Sequence, residues 1–230
     1  MARRFAIIGL GHFGSSLAAA LSSRDAEVLA IDNSIERLDD VKDHVAHTIR
    51  LDATEERALR GLGLQEMDGV VVAIGDDFEA TLLTVSQLQK LGIHRIIVRA
   101  TTPVHERILD HLGITEIILP SVETAERLSN SLMMEGVVNS LALGSDYTIM
   151  EVNAPEWMLG ISLQELRIRE KFEVSLVTIK RDETRRGRLG IGRRTARTVI
   201  GVPLPTTVVE RGDTLVLFGT EKQIQKMLNG

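Results

Sequence analysis

Short apolar runs alternate with helix-spaced segments through the first 120 residues of the chain. The runs are bounded by Gly or Asp and predict buried parallel strands at 4–9, 27–32, 47–51, 69–74, 95–99 and 116–119. Between them, apolar residues recur at helical spacing over 15–23, 34–43, 54–62, 78–91 and 103–111. Because each parallel step of a sheet needs a crossover, this order predicts a Rossmann-like, doubly wound parallel α/β sheet over residues 1–120.

After Pro120 the spacing of apolar residues predicts one continuous helix over residues 121–143. Its main apolar stripe is formed by Val122, Ala125, Leu128, Leu132 and Val137, and further apolar surface comes from Met133, Met134, Val138 and Leu141. A helix that is apolar on more than one side is expected to be buried on more than one side. We therefore predict that residues 121–144 form a crossover helix that packs against a partner subunit, with packing inside its own chain as the alternative.

Residues 145–230 predict a small α+β domain. Strand patterns occur at 148–152, 174–180, 207–209 and 214–218, and helical patterns at 162–168 and 221–228. A tight turn is predicted at Glu210-Arg211-Gly212-Asp213, between the last two strands. Residues 185–197 contain six arginines and three glycines without a helix or strand period. This composition indicates either a solvated loop or a segment that binds anions or faces a membrane.

The composition narrows the classes of function. With 230 residues, 43% of them hydrophobic, the chain can bury a core in each of two domains. A net charge of −5 and a pI near 5.7 argue against nucleic acid as a partner, because binding phosphates needs a basic surface. The chain has no cysteine, and its histidines lack metal-ligand spacing, so no metal site is predicted. Without a signal peptide or a run of about 20 apolar residues, we expect a cytoplasmic protein.

A G-x-G-x-x-G motif formed by Gly9, Gly11 and Gly14 follows the first predicted strand and opens a helical segment, as in dinucleotide-binding loops. In that context Gly9 permits the tight turn, Gly11 lets a pyrophosphate approach the backbone, and Gly14 allows close packing of helix on strand. The N-terminus of the helix would attract the phosphates. His12 and Phe13 lie inside the loop, where His12 could approach a phosphate or a second subunit, or be a surface histidine.

Asp32 ends the second predicted strand, at the distance from the glycines that is typical of a ribose-binding acid. Its carboxylate would accept hydrogen bonds from both ribose hydroxyls and would repel a 2′-phosphate. The neighbouring Asn33 and Ser34 offer no arginine to receive such a phosphate, so we expect the site to disfavour NADP. The structural alternative for Asp32 is a helix N-cap.

Further candidate contacts lie at the carboxyl ends of later strands, where ligands bind in open parallel sheets. They are Asp52, Ala53 and Thr54 after the third strand, Ala73, Ile74 and Gly75 after the fourth, and Arg99 at the end of the fifth. Thr54 could equally be only the N-cap of the next helix, and for both Asp52 and Thr54 a structural role is as well supported as a functional one. For Arg99 a functional role is favoured, because burying an isolated cation at the end of a strand costs free energy.

An NAD-dependent oxidoreductase is the main alternative to a binding function. It would need an acid or base facing the nicotinamide and a substrate pocket, which a catalytic domain usually supplies. The chain has no histidine after His111 and no paired carboxylates suited to that task, so we predict no catalytic residue and no enzyme activity. A ligand-binding regulator unrelated to transport is a third possibility.

A set of short segments carries a family resemblance over nearly the whole chain: GLGHFG at 9–14, LAID at 29–32, DATE at 52–55, VVAIG at 71–75, VRA at 98–100, Pro120, GISLQEL at 160–166 and ERGD at 210–213. In combination they resemble the RCK-type regulatory subunits of the Ktr and Trk potassium-transport systems. One N-domain and one C-domain in 230 residues is similar to the Ktr arrangement.

The resemblance implies a cytosolic ring of eight N-domains, built as a tetramer of dimers and docked at the inner face of the membrane on a potassium channel or transporter. It implies that residues 1–120 bind ATP, ADP or NAD(H), which changes the shape of the ring and so the gate. It also implies that residues 145–230 form a ligand-binding or dimerisation domain, which in several relatives binds cyclic di-AMP at a dimer interface.

The chain departs from that family pattern in three places. His12 stands where Ktr-type loops commonly carry an arginine that reaches phosphates across the dimer. Ser121 replaces a glutamate that can assist cation binding near the nucleotide, and the nearest acid is Glu123. The arginine-rich stretch replaces a short C-domain hairpin.

Overall fold

A computed structural model of the chain describes residues 2–133, 136–143, 146–186 and 193–230, with only the backbone described at residues 130, 183–186 and 193–197. The chain divides into two units, Met1–Val122 and Glu123–Gly230, and each is described by itself.

The described residues of the first unit form a six-stranded parallel sheet with the strand order β3-β2-β1-β4-β5-β6. The strands are β1 (Arg4–Ile8), β2 (Glu27–Asp32), β3 (His47–Arg50), β4 (Gly69–Val72), β5 (Ile96–Arg99) and β6 (Glu116–Ile118). The chain moves outward from β1 in one direction and then returns to add β4 on the other side of β1. The predicted doubly wound sheet is therefore confirmed, with its switch point between β1 and β4.

Helices cover both faces of this sheet, which explains why its strands are apolar without alternation. In β1, Ala6 and Ile8 lie in one core cluster and Ile7 in the other, and none of the three is more than 2% exposed. The helices are α1 (His12–Ser22), α2 (Ile35–Val41), α3 (Glu56–Leu59), α4 (Phe78–Lys90) and α5 (Pro103–His111). The helix predicted over 54–62 is shorter than expected, because the backbone becomes extended at Arg60.

The single helix predicted over 121–143 is wrong in its second half. Helix α6 spans Pro120–Met133, and Val137–Ala142 forms the strand β7. Gly136 adopts a left-handed conformation with φ of 84°, and the β-branched Val137 that follows is buried in the core of the second unit. The apolar stripe therefore continues from a helix into a strand, a change that helical spacing alone does not reveal. Met134, which was assigned to the same surface, lies outside the described residues.

The apolar residues at the end of α6 remain accessible in the single chain. Leu128, Leu132 and Met133 are 56%, 76% and 81% exposed. The expectation that a partner subunit covers this helix stays a prediction.

In the second unit the described strands form an antiparallel sheet with the order β10-β9-β11-β8-β7. The other strands are β8 (Tyr147–Asn153), β9 (Ser175–Arg186), β10 (Arg193–Val199) and β11 (Thr214–Thr220), and the helices are α7 (Leu163–Leu166), α8 (Ile168–Phe172) and α9 (Glu221–Asn229). Alternate residues such as Met150, Ile179 and Leu217 are fully buried on one face of the sheet. The predicted α+β fold of this part is confirmed.

Two local predictions in the second unit need correction. The arginine-rich stretch is not wholly a loop, because β9 runs to Arg186 and pairs with β10 from Arg193 onward; residues 187–192 lie outside the described residues. The segment 207–209 forms an isolated bridge between Val208 and Ser162 instead of a strand. Among the described residues, no helix is long and apolar enough to cross a membrane.

Candidate functional site

A cleft of about 790 Å³ opens at the carboxyl ends of the parallel strands, at the switch point between β1 and β4. Thirteen of the fifteen predicted site residues line it: Gly9, Gly11, His12, Phe13, Asp32, Asn33, Asp52, Ala53, Thr54, Ala73, Ile74, Gly75 and Arg99. Gly14 and Glu123 do not line it, and Glu123 is the first residue of the second unit. The parallel topology thus brings residues from five separate segments to one edge of the sheet.

The three glycines of the loop have different surroundings. Gly9 has φ of 93°, which L side chains rarely adopt, and a Cβ there would lie 2.8 Å from the backbone nitrogen of Ile74. A Cβ on Gly14 would lie 1.9 Å from the carbonyl oxygen of Gly9, so Gly14 lets α1 pack against the loop. A Cβ on Gly11 would meet no atom within 4 Å. The open side of the loop at Gly11 is therefore available for a ligand.

Gly11 is also the N-cap residue of α1, and no side chain caps this end of the helix. The first turn of α1 contains no acidic residue. Its N–H groups and the positive end of the helix dipole therefore lie at the cleft, with no acidic side chain in the first turn of the helix to offset them. This arrangement favours an anion such as a phosphate.

Asp32 fixes the geometry between the glycine loop and the end of β2. Its side chain is buried, and its oxygens accept hydrogen bonds from the backbone N–H of Leu10 at 2.7 Å and of Ser34 at 2.8 Å. The N-cap of α2 is Ser34, whose hydroxyl accepts from the N–H of Arg37, so Asp32 does not have the capping role considered as an alternative. Asp32 instead holds a negative charge at the wall of the cleft.

Asp52 and Thr54 bind each other at the end of β3. One oxygen of Asp52 accepts from both the N–H and the hydroxyl of Thr54, at 2.9 and 2.7 Å. These two hydrogen bonds hold the pKa of Asp52 below its ordinary value, and the bond from the hydroxyl has the larger effect. The N-cap of α3 is Glu55, so neither residue caps that helix. The pair stabilises the loop that forms one side of the cleft.

Arg99 lies between the glycine loop and the end of β4. Its guanidinium carbon is 5.6 Å from the ring centroid of Phe13, and its Nη1 lies so close to Gly75 that a Cβ there would be 2.5 Å away. Its Nε is buried and has no hydrogen-bond partner within the described part of the chain. Arg99 also makes no ion pair with a described residue, so its charge is available to an anion in the cleft.

Sequence reasoning missed Arg37, which lines the cleft with its Nη1 3.6 Å from Oδ2 of Asp32. It lies in the first turn of α2, beyond the Asn33 and Ser34 that follow Asp32 directly in sequence. Other lining residues that were not predicted are Ser15, Ser16, Asp40, Asp76 and Asp77. Among the residues described, no group of three or more His, Asp or Glu side chains could hold a metal ion.

Family models for the TrkA-N domain and the TrkA-C domain match residues 5–120 and 147–229. Two Bacillus subtilis relatives are Ktr system potassium uptake protein C, 33% identical over 98% of this chain and 96% of its own, and protein A, 31% identical over 99% and 96%.

Two solved structures share the fold. The GsuK RCK domain has a TM-score of 0.66 at 16% identity, over 100% of this chain and 48% of that one. The GsuK channel bound to NAD has a TM-score of 0.50 at 24% identity, over 98% of this chain and 38% of that one.

Proposed function

This chain belongs to the TrkA-N and TrkA-C domain family, and we propose that it is a cytosolic, nucleotide-sensing regulatory subunit of a potassium channel or transporter. The observation that carries the proposal is the cleft, which combines an uncapped helix N-terminus at Gly11 with the carboxylate of Asp32 and the guanidinium of Arg99, whose Nε has no hydrogen-bond partner among the described residues. The family relation supports a partner in potassium transport, because the two B. subtilis relatives are potassium uptake proteins.

The charges in the cleft suit a nucleoside with a phosphate tail. The ribose hydroxyls would donate hydrogen bonds to Asp32, and the phosphates would accept from the N–H groups that begin α1. Arg99 would offset the charge of the phosphates, and a planar guanidinium suits phosphate oxygens. We propose ATP, ADP or NAD(H) as the ligand; the NAD-bound GsuK channel, which shares this fold, supports the choice of NAD.

Asp32 disfavours NADP, because its buried carboxylate would face a 2′-phosphate. His12 lines the cleft within the loop, where it could reach a phosphate. Assistance by a cation held at Glu123, and binding of cyclic di-AMP by residues 145–230, remain predictions.

Regulation requires that the nucleotide bind one conformation of the assembly more tightly than another. We propose a homodimer that assembles into an octameric ring at the inner face of the membrane, with nucleotide binding altering the relation between paired N-domains. The exposed Leu128, Leu132 and Met133 on α6 support a helix that a second subunit covers.

The proposal is tested by calorimetric titration of the purified chain with ATP, ADP, NADH, NADPH and cyclic di-AMP, with light scattering on the same samples. We expect ATP, ADP or NADH to bind without being consumed, to an oligomer near eight chains, and NADPH to bind more weakly. Oxidation of NADH with a small carbonyl substrate would return the assignment to an oxidoreductase. Absence of nucleotide binding would favour a regulator that uses another ligand.

A further inference from the structure

Two arginines lie near the carboxyl end of β2, where the ribose would bind, and they differ in their contacts. Arg37 lines the cleft, and its Nη1 lies 3.6 Å from Oδ2 of Asp32. Its side chain is half-exposed, so it can move without leaving a core. Arg50 donates from Nε to the carbonyl oxygen of Asn33 at 3.0 Å and does not line the cleft. Only one of these two arginines therefore faces the ligand.

Asp32 cannot turn away from this position. Its side chain is 3% exposed, and its two oxygens are held by N–H groups from two different segments, at Leu10 and at Ser34. Arg37 is its ion-pair partner among the described residues. The electrostatic character of the ribose position is consequently set by a fixed carboxylate and a movable guanidinium.

We propose that Arg37 determines how the cleft treats the 2′ position of an adenosine ribose. In the natural chain the carboxylate of Asp32 excludes a 2′-phosphate and holds Arg37 as its counter-ion. When the carboxylate is made neutral, Arg37 is released and binds the 2′-phosphate through its planar N–H donors. The inference rests on the proposed function, because it places the adenosine ribose at Asp32.

The ordinary requirement of a 2′-phosphate is a nearby arginine together with the absence of a facing carboxylate. This chain meets the first condition through Arg37 and fails the second through Asp32. The preference against NADP then depends on the charge of Asp32 alone. Arg37, the residue needed to bind a 2′-phosphate, is already present.

The test compares adenosine 5′-monophosphate with adenosine 2′,5′-bisphosphate, which differ only in the 2′-phosphate. Calorimetry at one fixed salt concentration gives the ratio of their dissociation constants for the natural chain, Asp32→Asn, Arg37→Gln and the double variant. Asparagine retains one acceptor for the backbone N–H groups while removing the charge. Thermal unfolding checks that each variant is folded.

We expect Asp32→Asn to move the ratio at least tenfold toward the bisphosphate, and addition of Arg37→Gln to reverse most of that gain. Arg50→Gln in the Asp32→Asn background is the matched control and should leave the gain unchanged. In the natural background, Arg37→Gln should move the ratio at least threefold further against the bisphosphate, which tests the idea even where Asp32→Asn does not fold.

A gain that survives in the double variant, or that Arg50→Gln removes, would overturn the role of Arg37. The role of Arg37 would also be overturned if Arg37→Gln had the same ratio of dissociation constants as the natural chain. Those results leave nucleotide binding itself intact. Failure of the natural chain to bind either adenosine phosphate or NADH would instead overturn the proposed function, and this inference with it.

Discussion

Replacing Gly11 with alanine should strongly weaken nucleotide binding and leave the fold intact, whereas the same change at Gly14 should disturb the fold itself. A Cβ on Gly11 meets no atom within 4 Å, and Gly11 has φ of −65°, which alanine adopts freely. Alanine also restricts the unfolded chain, so the free energy of unfolding should stay equal or rise by about 0.5 kcal/mol. The Gly11→Ala variant is thus a fully folded protein with a methyl group on the open side of the loop.

The loss of binding follows from the distance at which a phosphate must approach. A phosphate oxygen that accepts from a backbone N–H lies roughly 2.9 Å from the nitrogen, which leaves no space for a methyl group beside it. Losing one or two hydrogen bonds to a charged acceptor costs about 3 kcal/mol. This loss corresponds to a dissociation constant raised more than about a hundredfold.

Gly14→Ala is the matched comparison, because it adds the same methyl group three residues away. There the Cβ would lie 1.9 Å from the carbonyl oxygen of Gly9, and real Cβ atoms essentially never come within 3.0 Å, so the backbone must shift by at least 1.1 Å. Overpacking of this kind costs about 1–3 kcal/mol. The melting temperature should therefore fall by several degrees.

The assay is thermal unfolding of both variants without ligand, followed by calorimetric titration with ADP and NADH. Gly11→Ala that is folded and binds with natural affinity would refute the approach of a phosphate to this part of the loop. Gly14→Ala with an unchanged melting temperature would refute the close packing of α1 on the loop.

Three further predictions concern charged groups. Arg99→Gln should weaken ADP binding at least about tenfold, by removing a charge-assisted contact, while calorimetry with adenosine shows little change. The melting temperature should fall only slightly, since Nε of Arg99 has no hydrogen-bond partner among the described residues and the contact with the Phe13 ring is weak. Asp213→Asn should destabilise the chain by about 3 kcal/mol, seen in thermal unfolding, because the buried carboxylate binds Arg181 through two bonds of 2.7 Å. Hydrogen bonds from Arg95 hold the pKa of Glu116 below its ordinary value of 4.5. The pair therefore stabilises the fold above pH 4.5, and this stabilisation is lost as the pH falls through the lowered pKa. Glu116→Gln should reduce the difference in melting temperature between neutral and acidic pH.

Each of these predictions has an outcome that contradicts it. Equal losses for adenosine and ADP in Arg99→Gln would mean that this side chain supports the fold of the cleft and not the phosphates. A natural melting temperature for Asp213→Asn would show that the buried pair adds little. An unchanged pH dependence for Glu116→Gln would assign acid sensitivity to other carboxyl groups.

The parallel sheet could be predicted because its physical signals are local. Buried strands between two layers of helices are continuously apolar, and the runs at β1, β2 and β4 stand out from the helical segments beside them. The same rule predicts that residues at the carboxyl ends of the strands line a common cleft, and Asp32, Gly75 and Arg99 do line it; that they contact a ligand stays a prediction.

The errors arose where one pattern is compatible with two structures. By its spacing, Val137 continues the apolar stripe of α6. It is nevertheless part of a strand, because β7 pairs with β8. Strand pairing is a long-range interaction that no local window contains. The arginine-rich sequences at the end of β9 and the start of β10 do not alternate between apolar and polar residues. The pairing of these two strands therefore has no periodic signal in the sequence.

The missed residue in the cleft had a different cause. Arg37 is not adjacent to Asp32 in sequence, but the first turn of α2 brings its side chain back toward the strand end. A search over the first turn of the following helix would have found it. Contacts of the ribose position are thus better sought through the geometry of the strand–helix connection than through adjacent residues.

Because of the two arginines that line it, we expect the cleft to bind a nucleoside phosphate more tightly than either of its halves. Arg37 lies beside Asp32, so their opposite charges offset each other, and the position proposed for the ribose should favour hydroxyl groups. Arg99 has no counter-ion among the described residues, so its surroundings favour an anion. Free phosphate would satisfy only Arg99 and the loop, and adenosine only Asp32. Because joining the two groups covalently removes the entropic cost of ordering a second molecule, the affinity for the nucleotide should exceed that for either fragment by far more than one contact provides.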